Sequence, residues 1–390
     1  MKILHLIRSA DPEGGGPIEY ARVMAEAHAQ QGHESIFVTL DDPQAPFLKD
    51  FPFQVEAAGP VRGPLRRAPG FGARVSGLLA GADAAVIHGL WTHATTGAYR
   101  EMKRAGFPWL VFPHGMLDPY FRQAGRVKYL LKQAYWTLFL GRVLKDARAV
   151  LFTCQEEKRL ARGAFRGYQG YRSKVLAFCA ADQRRPEAEQ REGRSSFRAR
   201  LPKLGGRDYL LFLSRIHPKK ACDNLIRSFA EAAARHPQLD LVMAGPDQVG
   251  WKAELEALAD QLGIAGRVHW PGMIKGPEKS AAFAGARAFV LPSHQENFGL
   301  VVAEALSAGT PVLISGKVNI WREVVEDGAG LSGPDTVAAT TATLCRFLSM
   351  PAAEAAEMQA NCRGSYEARF SVESAARDLL EAISEAANRG

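Results

Sequence analysis

The chain contains 390 residues, of which 47% are hydrophobic and 23% are charged, a composition typical of a soluble globular protein. This length predicts two domains. No apolar run approaches the roughly 18 residues of a membrane-spanning helix, and the apolar run at residues 3–7 is too short for a signal peptide. Five scattered cysteines without a C-x-x-C pair predict a reduced, cytoplasmic protein without structural zinc.

The net charge of +8 is concentrated in the first half of the chain. Residues 1–200 hold 30 Lys and Arg against 19 Asp and Glu (+11), whereas residues 201–390 hold 19 against 22 (−3). Such a basic half is typical of a protein that meets an anionic surface or partner, although a solvated basic face would give the same count. Nucleic acid is a poorer expectation, because no recognised nucleic-acid-binding module is present.

The first half alternates strand-like and helical segments. A glycine loop at residues 13–17 follows the first strand, and the helix after it ends near Gly32. This alternation predicts a parallel sheet covered by helices on both faces, in a Rossmann-like domain at residues 1–180. The predicted strands are 3–7, 35–40, 84–87, 109–112 and 149–152.

The pattern changes near residue 180. Residues 182–196 are almost wholly polar, and we interpret 181–206 as a linker region. A second Rossmann-like domain is predicted at 207–370, followed by an amphipathic helix at 371–390. The strands predicted in this domain are 209–213, 239–244, 268–270, 288–291 and 311–314.

Gly14, Gly15 and Gly16 lie between the first strand and the first helix, where backbone N–H groups can approach a phosphate. The loop lacks the G-x-G-x-x-G spacing and the acidic residue of a dinucleotide site, and it is alternatively a merely flexible loop. Residues 328–333 do match G-x-G-x-x-G, but they follow no first strand and precede Pro334. We interpret that match as a turn-rich connection.

Arg215 and Lys220 follow the first predicted strand of the second domain, five positions apart. A guanidinium group and an ammonium group suit a diphosphate, although a surface cluster of cations would look the same. The chain contains no D-x-D triplet and no His/Cys cluster with metal-ligand spacing. We therefore expect no bound metal and no cofactor, so that cations and helix N-termini would carry the charge of a departing diphosphate.

Glu296 and Glu304 lie eight positions apart, around Phe298 and Gly299, where a predicted strand leads into a predicted helix. The carboxyl ends of parallel strands are the usual ligand-binding edge of open α/β proteins. Each carboxylate can accept two hydroxyls of a diol. Spacing alone is weak evidence, because one helix-terminal and one surface carboxylate would produce the same pattern.

The whole string at residues 293–311 resembles the E-x7-E element of retaining GT-B glycosyltransferases of family 4. The resemblance covers nearly the whole chain. It extends to residues 214–220, 241–247, 268–272, 317–323 and 327–330 in the second half, and to 14–16, 32–34 and 113–119 in the first. It implies two Rossmann-like domains that face a central cleft, with a C-terminal helix that crosses back to the first domain.

The resemblance also implies roles for matching residues. Arg215 and Lys220 would hold the donor diphosphate, and Glu304 would bind the ribose hydroxyls. Glu296, with the backbone of Asn297, Phe298, Gly299 and Leu300, would bind the transferred sugar. Gly14, Gly15 and Gly16 would approach the phosphate, and His114 would lie near the reacting centre. The catalytic residues expected on this basis are His114, Glu296, Arg215 and Lys220.

The chain departs from the family pattern at two places. Ala221 replaces the glycine that usually follows the phosphate-binding lysine, which predicts a tighter loop. Residues 175–182 replace the familiar I-P-N-G-V-D stretch, which puts contacts from that loop in doubt.

Residues 101–150 carry nine Lys and Arg against three Asp and Glu, interleaved with aromatic and aliphatic residues. A basic amphipathic helix here would lie on an anionic membrane surface, or alternatively pack its apolar side on the domain core. The basic residues concerned are Arg122, Arg126, Lys128, Lys132, Arg142 and Lys145.

The resulting expectation is a retaining hexosyltransferase that moves a sugar from a nucleotide-diphosphate donor to an acceptor hydroxyl, in bacterial cell-surface polysaccharide or glycolipid assembly. The acceptor would be a sugar or lipid-linked glycan, and the protein would be cytoplasmic, with peripheral contact at the inner face of the cytoplasmic membrane. A nucleotide-sugar epimerase of the same architecture and a non-catalytic nucleotide-sugar binding protein remain the alternatives.

Overall fold

The computed structural model describes residues 1–63, 66–119, 126–176 and 178–388. The chain divides into two α/β units, and each is described by itself. The first contains Met1–Phe178 and the residues from Val372 onward, and the second contains Cys179–Ser371. The expectation of two α/β domains with parallel sheets is confirmed.

The first unit is built on seven parallel strands in the order β3-β2-β1-β4-β5-β6-β7. The strands are β1 (Lys2–Leu6), β2 (Glu34–Thr39), β3 (Gln54–Ala57), β4 (Ala84–His88), β5 (Trp109–Phe112), β6 (Ala149–Phe152) and β7 (Ser173–Val175). The inner strands are buried on both faces, so they read as apolar runs in the sequence. The edge strands β3 and β7 were not predicted, because they are short and partly exposed.

Helices cover this sheet and connect its strands. They are α1 (Gly16–Ala29), α2 (Phe71–Leu79), α3 (His93–Thr96), α4 (Tyr99–Arg104), α5 (Arg126–Tyr135), α6 (Gly141–Asp146), α7 (Gln155–Ala161) and, from the end of the chain, α16 (Val372–Asn388). A π-helical turn, Trp136–Leu140, joins α5 to α6. Arg122 and residue 177, which figured in the sequence-based expectations, lie outside the described residues.

The last helix, α16, packs against α1 of the first unit. His28 on α1 is buried and donates from Nε2 to the carbonyl oxygen of Ala376, at 2.9 Å. The apolar side of α16 is buried there, including Leu379 and Ile383. The predicted return of the C-terminal helix to the first domain is therefore confirmed.

The second unit contains six parallel strands in the order β10-β9-β8-β11-β12-β13. The strands are β8 (Asp208–Leu213), β9 (Leu239–Ala244), β10 (Val268–Gly272), β11 (Ala288–Leu291), β12 (Val312–Ser315) and β13 (Gly330–Gly333). The helices are α8 (Glu187–Arg200), α9 (Cys222–Ala232), α10 (Lys252–Gln261), α11 (Gly276–Ala284), α12 (Leu300–Ser307), α13 (Trp321–Glu326), α14 (Val337–Leu348) and α15 (Ala352–Arg369).

Two sequence-based expectations differ from this unit. The turn-rich connection predicted at 328–333 contains the edge strand β13, which pairs with β12 through its backbone although its composition is rich in glycine. The region 181–206, predicted as a linker, contains the helix α8, which packs on α11. The helix escaped notice because only Gly193 and Phe197 are buried, and a Cβ at Gly193 would lie 2.2 Å from the Pro277 carbonyl oxygen.

Candidate active site

The predicted donor-binding residues of the second unit lie at the carboxyl edge of its sheet. From β8 the chain builds β9 and β10 on one side, and then β11, β12 and β13 on the other. Ligands of open parallel sheets bind outside the carboxyl ends of the strands at such a reversal of strand order. Arg215 and Lys220 lie on the loop after β8, and Glu296 lies on the loop after the neighbouring strand β11.

Lys220 and Glu296 form an ion pair between the lysine Nζ and the carboxylate Oε2. The side chain of Lys220 is 9% exposed and that of Glu296 is 23% exposed. Backbone bonds hold their loops together: the N–H of His294 donates to the Lys219 carbonyl oxygen at 2.9 Å. The N–H of Glu296 donates to the Lys317 carbonyl oxygen, also at 2.9 Å. The fold thus brings two predicted site residues into direct contact.

Ala221 occupies a left-handed backbone conformation directly after Lys220, with φ of 53°. A residue with a Cβ pays on the order of 1–2 kcal/mol for this conformation, which glycine adopts freely. The side chain of Ala221 is fully buried and precedes α9. The loop therefore takes a turn that glycine adopts more easily, although the residue here is alanine.

Glu304 lies on α12 and is largely buried. Its Oε1 accepts a hydrogen bond from Lys279 Nζ on α11, at 2.6 Å. Its Oε2 is buried and has no hydrogen-bond partner among the described residues. Burial raises the pKa of Glu304, and the nearby Lys279 ammonium opposes that rise. A buried carboxylate oxygen without a donor needs an explanation, and a hydroxyl group of a ligand would supply one.

Arg215 is exposed and stands apart from the Lys220–Glu296 ion pair. Its Nη1 donates to Oε1 of Gln248, on the loop after β9, at 2.8 Å. Four of the predicted residues, Arg215, Lys220, Glu296 and Glu304, therefore lie on the loops and helix that follow β8 and β11, and among them Lys220 and Glu296 form an ion pair. Lys279 and Gln248 were not predicted, because nothing in their local sequence marks them and only the packing of α11 and the β9 loop brings them here.

In the first unit, His114 follows β5 with φ of 51°, at the carboxyl end of the central part of the sheet. Its Nε2 lies 3.1 Å from His88 Nδ1, and His88 Nε2 lies 3.0 Å from His5 Nδ1. The other ring nitrogen of His5 lies 3.3 Å from Ser35 Oγ. The rings of His114, His88 and His5 are stacked in sequence. We call this row the histidine chain.

Burial keeps the histidine chain uncharged. It lowers the pKa of His114 to about 3 and lowers the pKa values of His88 and His5 well below their usual range, with further lowering from a histidine neighbour in each of the latter two. In a row of neutral imidazoles each hydrogen bond has one donor and one acceptor. The hydrogen bonds along the row can therefore all run in one direction or all in the other. His114 Nδ1, which has no partner among the described residues, is a donor in one arrangement and an acceptor in the other.

A buried carboxylate, Glu157 on α7, holds the His114 loop in place. Its Oε1 accepts from the N–H of Gly115 at 2.6 Å. Its Oε2 accepts from the backbone N–H and the hydroxyl of Thr153, at 2.7 and 2.6 Å. Burial raises the pKa of Glu157, while these hydrogen bonds oppose the rise. Glu157 was not predicted from the sequence, where it is one of two adjacent glutamates at a helix start.

Two family descriptions match this chain. "Glycosyl transferases group 1" matches residues 193–364, and "Glycosyl transferase 4-like domain" matches residues 15–175. The chain belongs to the group 1 glycosyl transferases. This membership confirms the resemblance seen in the E-x7-E string and the loop after β8.

Among curated relatives, D-inositol 3-phosphate glycosyltransferase of Frankia alni is 38% identical over 164 residues, which are 40% of each chain. The relative of the same name from Salinispora tropica is 33% identical over 222 residues, 54% of this chain and 44% of the relative. The chain thus matches less than half the length of these relatives.

Several solved structures have the same fold as this chain. Anabaena Alr3699/HepE in complex with UDP and glucose has a TM-score of 0.72 at 20% identity, over 99% of this chain and 100% of that one. WaaG, described as a glycosyltransferase involved in lipopolysaccharide biosynthesis, has a TM-score of 0.64 at 19% identity, over 100% and 99%. A glycosyltransferase from Rickettsia africae reaches 0.77 at 13% identity, over 100% and 99%. The GT-B fold is confirmed.

Two further sets of predicted residues lie in loops of this chain. Gly14, Gly15 and Gly16 lie at the start of α1. Gly15 has φ of 87°, which favours glycine, whereas a Cβ on Gly16 would meet no atom within 4 Å, so packing does not require glycine at Gly16. Phe298 is 4% exposed and packs edge-to-face on Phe370, with ring centroids 5.6 Å apart. Its side chain therefore belongs to the core, and only its backbone is available to a ligand.

The backbone around Phe298 turns sharply into α12. Gly299 has φ of 77°, and a Cβ there would lie 3.2 Å from both Glu296 Cγ and Val302 Cγ2. Leu300 is the first residue of α12, and Asn297 Oδ1 accepts from Asn319 Nδ2 at 3.4 Å. This turn carries the chain from Glu296 in the loop to Glu304 on the helix.

Proposed function

We propose that this protein is a retaining hexosyltransferase that moves a sugar from a nucleotide-diphosphate donor to an acceptor hydroxyl, in assembly of a bacterial cell-surface polysaccharide or glycolipid. Family membership supports the reaction class. The observation that carries the proposal is the contact between Lys220 and Glu296 at the ligand-binding edge of the second unit. One side chain suits a phosphate and the other suits sugar hydroxyls, and both lie at the reversal of strand order.

The second unit binds the donor in this proposal. Lys220 and Arg215 contact the diphosphate, Glu296 accepts hydrogen bonds from the sugar, and Glu304 accepts them from the ribose. The unpartnered Oε2 of Glu304 supports the last role, because a diol would supply the missing donor. The HepE neighbour, whose structures hold UDP and glucose or UDP-glucose, supports a nucleotide-sugar donor through its fold alone.

Departure of the nucleotide diphosphate is the step that the cations assist. Negative charge grows on the leaving phosphate oxygen, and Lys220 and Arg215 stabilise it electrostatically. We propose that no metal and no cofactor is required. Among the described residues no group of His, Cys, Asp and Glu side chains has the arrangement of a metal site. Transfer rates that are unchanged in excess chelator would support metal-independent departure, and rates restored only by added divalent cation would contradict it.

His114 acts near the reacting centre in this proposal. Because it is uncharged, it serves as a hydrogen-bond donor or acceptor to substrate hydroxyls and not as a fixed cation. The histidine chain sets which of these states the ring presents.

The first unit carries the acceptor and meets the membrane surface. Along α5 and the following turn several large apolar side chains are exposed beside Lys128 and Lys145: Val127 (73%), Leu130 (64%), Leu131 (68%), Leu138 (58%) and Phe139 (41%). Such a face suits insertion into an anionic interface, as at the inner face of the cytoplasmic membrane. None of the described helices combines the length and the apolarity needed to span a bilayer.

The decisive test is a thermal-shift panel of UDP, GDP and ADP and their glucose conjugates, followed by turnover of the stabilising donor. A specific donor raises the melting temperature by mass action. Release of nucleotide that depends on added acceptor, with the anomeric configuration kept, supports the transferase. Epimerised donor in the absence of acceptor would instead support the epimerase, and binding without turnover with any acceptor would support a non-catalytic protein.

A further inference from the structure

The first unit contains two adjoining cavities that share the side chains of His93 and Tyr135. One has a volume of about 440 Å³ and is also lined by Arg8, Asp41, Arg66 and Trp91. The other has a volume of about 340 Å³ and is also lined by Arg67, Arg100, Arg142 and Phe139. We call the two together the double cavity.

We propose that the double cavity binds an acceptor that carries a phosphate group next to a hydroxyl-bearing ring. This inference rests on the proposed function and names the class of its acceptor. The ring would lie in the cavity with Trp91 and the phosphate in the cavity with three arginines.

Position in the sheet is the first argument. Arg8, Asp41 and Trp91 follow the carboxyl ends of β1, β2 and β4. Strand order reverses between β1 and β4, since β2 and β3 lie on one side and β5, β6 and β7 on the other. The first cavity is therefore at the ligand-binding edge of this unit's own sheet.

Charge is the second argument. Five arginines line the double cavity, against the carboxylates of Asp41 and Glu101. Asp41 is already satisfied, since its oxygens accept from Ser9 Oγ at 2.6 Å and from the N–H of Ala10 at 2.8 Å. Within the described residues no carboxylate forms an ion pair with Arg67 or Arg100. Guanidinium groups without anionic partners suit a phosphate, which accepts several of them at once.

Orientation of the shared histidine is the third argument. The N–H of Ala68 donates to His93 Nδ1 at 3.3 Å, so Nδ1 is an acceptor. Burial and the nearby Arg67 lower the pKa of His93, and the neutral ring then carries its proton on Nε2. His93 thus offers one N–H donor at the boundary between the two cavities, where it would meet an oxygen of the bound ring or its phosphate.

The aromatic walls suit a sugar or polyol ring. Trp91 has φ of 65°, a costly backbone conformation for a bulky residue, and its indole N–H donates to the Met116 carbonyl oxygen at 3.2 Å. The Tyr135 hydroxyl lies 3.2 Å from Thr96 Oγ1. The Trp91 and Tyr135 rings are 6.2 Å apart and inclined by 47°. The Trp91 ring also contacts the Phe165 ring, with centroids 5.0 Å apart, and Lys132 Nζ lies 4.6 Å from the centroid of the Trp91 ring. Trp91 is therefore held in place while it and Tyr135 still line the cavity.

The test is calorimetric titration of the full-length protein with matched probes, in saturating UDP so that Arg215 and Lys220 are occupied. D-inositol 3-phosphate is compared with inositol, and glucose 6-phosphate with glucose. Phosphatidylinositol in neutral detergent micelles tests a lipid-borne source of the same group, against micelles of diacylglycerol, which carries neither the phosphate nor the ring. At least one phosphorylated probe should bind on the order of tenfold more tightly than its neutral partner.

Variants locate the binding. Arg100→Gln with Arg142→Gln should abolish the preference for phosphate, and His93→Phe should weaken binding of the same probe several-fold, while the affinity for UDP stays unchanged. Arg104→Gln, an exposed arginine of α4 outside the double cavity, is the matched control and should retain the preference.

The outcomes separate this inference from the proposed function. Equal binding of charged and neutral members in every pair, or a preference that survives the double variant, overturns the inference. If the wild-type protein bound no nucleotide of the UDP, GDP and ADP panel, or transferred no sugar to any acceptor, the proposed function would instead be overturned, and the phosphate preference would still report on the double cavity. Preference for the micellar probe alone identifies the acceptor as lipid-borne and supports the inference.

Discussion

Lys220 and Glu296 form an ion pair at the carboxyl edge of the second unit's sheet. Under the proposed function both side chains must also bind the donor. The lysine then exchanges a carboxylate for phosphate oxygens, and the released carboxylate turns to sugar hydroxyls. The pair keeps each charge satisfied until the donor arrives, which lowers the cost of holding two partly buried charges ready.

Replacing Lys220 by alanine should therefore harm both binding and catalysis. We expect kcat to fall by roughly 10²–10³, because the charge on the leaving diphosphate loses a partner. Stability should fall by about 1–3 kcal/mol, since Glu296 is left partly buried and unpaired. Steady-state kinetics and urea unfolding measure the two effects. Lys252→Ala removes a more exposed ion pair, with Glu256 at 3.4 Å, and should change neither. If kcat were unchanged in Lys220→Ala, Lys220 would not be part of the active site.

Nucleotide affinity should depend on the ionisation of Glu304. Burial raises the pKa of this carboxyl group, so the folded protein holds its proton to a higher pH than the unfolded chain does. The ionised group therefore destabilises the fold above the raised pKa, and this cost disappears as pH falls below the unfolded value. Ribose hydroxyls need the ionised acceptor, so UDP affinity should weaken as pH falls through the raised pKa.

The measurement is calorimetric UDP affinity across the acidic range in wild type and Glu304→Gln. UDP itself titrates, so the difference between the two proteins is the informative quantity. Glu304→Gln should bind UDP more weakly at neutral pH, and the gap should narrow on acidification. If the difference in UDP affinity between wild type and Glu304→Gln were the same at every pH, ionisation of Glu304 would be excluded as the cause of the pH dependence.

The histidine chain should make the fold sensitive to acid. Its three histidines have pKa values below that of an unfolded histidine, and His114 lies at about 3. The unfolded chain then binds more protons below about pH 6.5, so stability is full above that pH and falls as pH decreases. The slope is about 1.4 kcal/mol per pH unit for each histidine.

Urea unfolding between pH 7 and pH 5 tests this dependence. His88→Phe retains an aromatic ring but removes one titrating group, and should reduce the slope by about one proton. In His88→Phe, kcat should also fall with little change in the KM for the donor, because His114 loses the partner that sets its tautomer. An identical slope in His88→Phe would show that the chain is not the titrating element.

Glu157 should matter to both stability and turnover although it lies beneath the His114 loop. Glu157→Gln leaves Thr153 and Gly115 competing for one acceptor oxygen, and we expect a loss of about 1–3 kcal/mol in the free energy of unfolding. The loop then loosens, which should lower kcat more than it changes donor affinity. Glu156→Gln is the neighbouring control, since its carboxylate pairs with the exposed Arg159. Equal effects of the two substitutions would contradict a special role for Glu157.

Exposed leucines on α5 should govern attachment to anionic membranes. Leu130→Ser with Leu131→Ser should reduce binding to vesicles that contain phosphatidylglycerol by about tenfold or more, because two apolar side chains no longer insert. Neither protein should bind phosphatidylcholine vesicles strongly, since the basic residues then have no partner. Sedimentation with vesicles measures the bound fraction. Val249→Ser, an exposed apolar residue of the second unit, should leave it unchanged.

The sequence alone was sufficient to predict the strands whose side chains are all buried. The inner strands of both sheets are buried on both faces, so each is an apolar run that needs no partner to be recognised. Lys220, Glu296 and Glu304 were predicted because they follow predicted strands and because the strings around them resemble a family motif, and their roles stay predictions. Edge strands β3, β7 and β13 and the polar helix α8 were missed, because their stability comes from neighbours distant in the chain.

The tertiary structure alone decided which charges meet. Lys279 on α11 meets Glu304 on α12 only in the folded chain, and Glu157 reaches Gly115 only because β5 and β6 are adjacent in the sheet. His5 lies on β1, His88 lies on β4 and His114 follows β5, and these strands are neighbours in the sheet although β2 and β3 separate β1 from β4 along the chain. Hydrogen bonds act over about 3 Å, and only the pairing of strands brings side chains far apart in sequence within that distance.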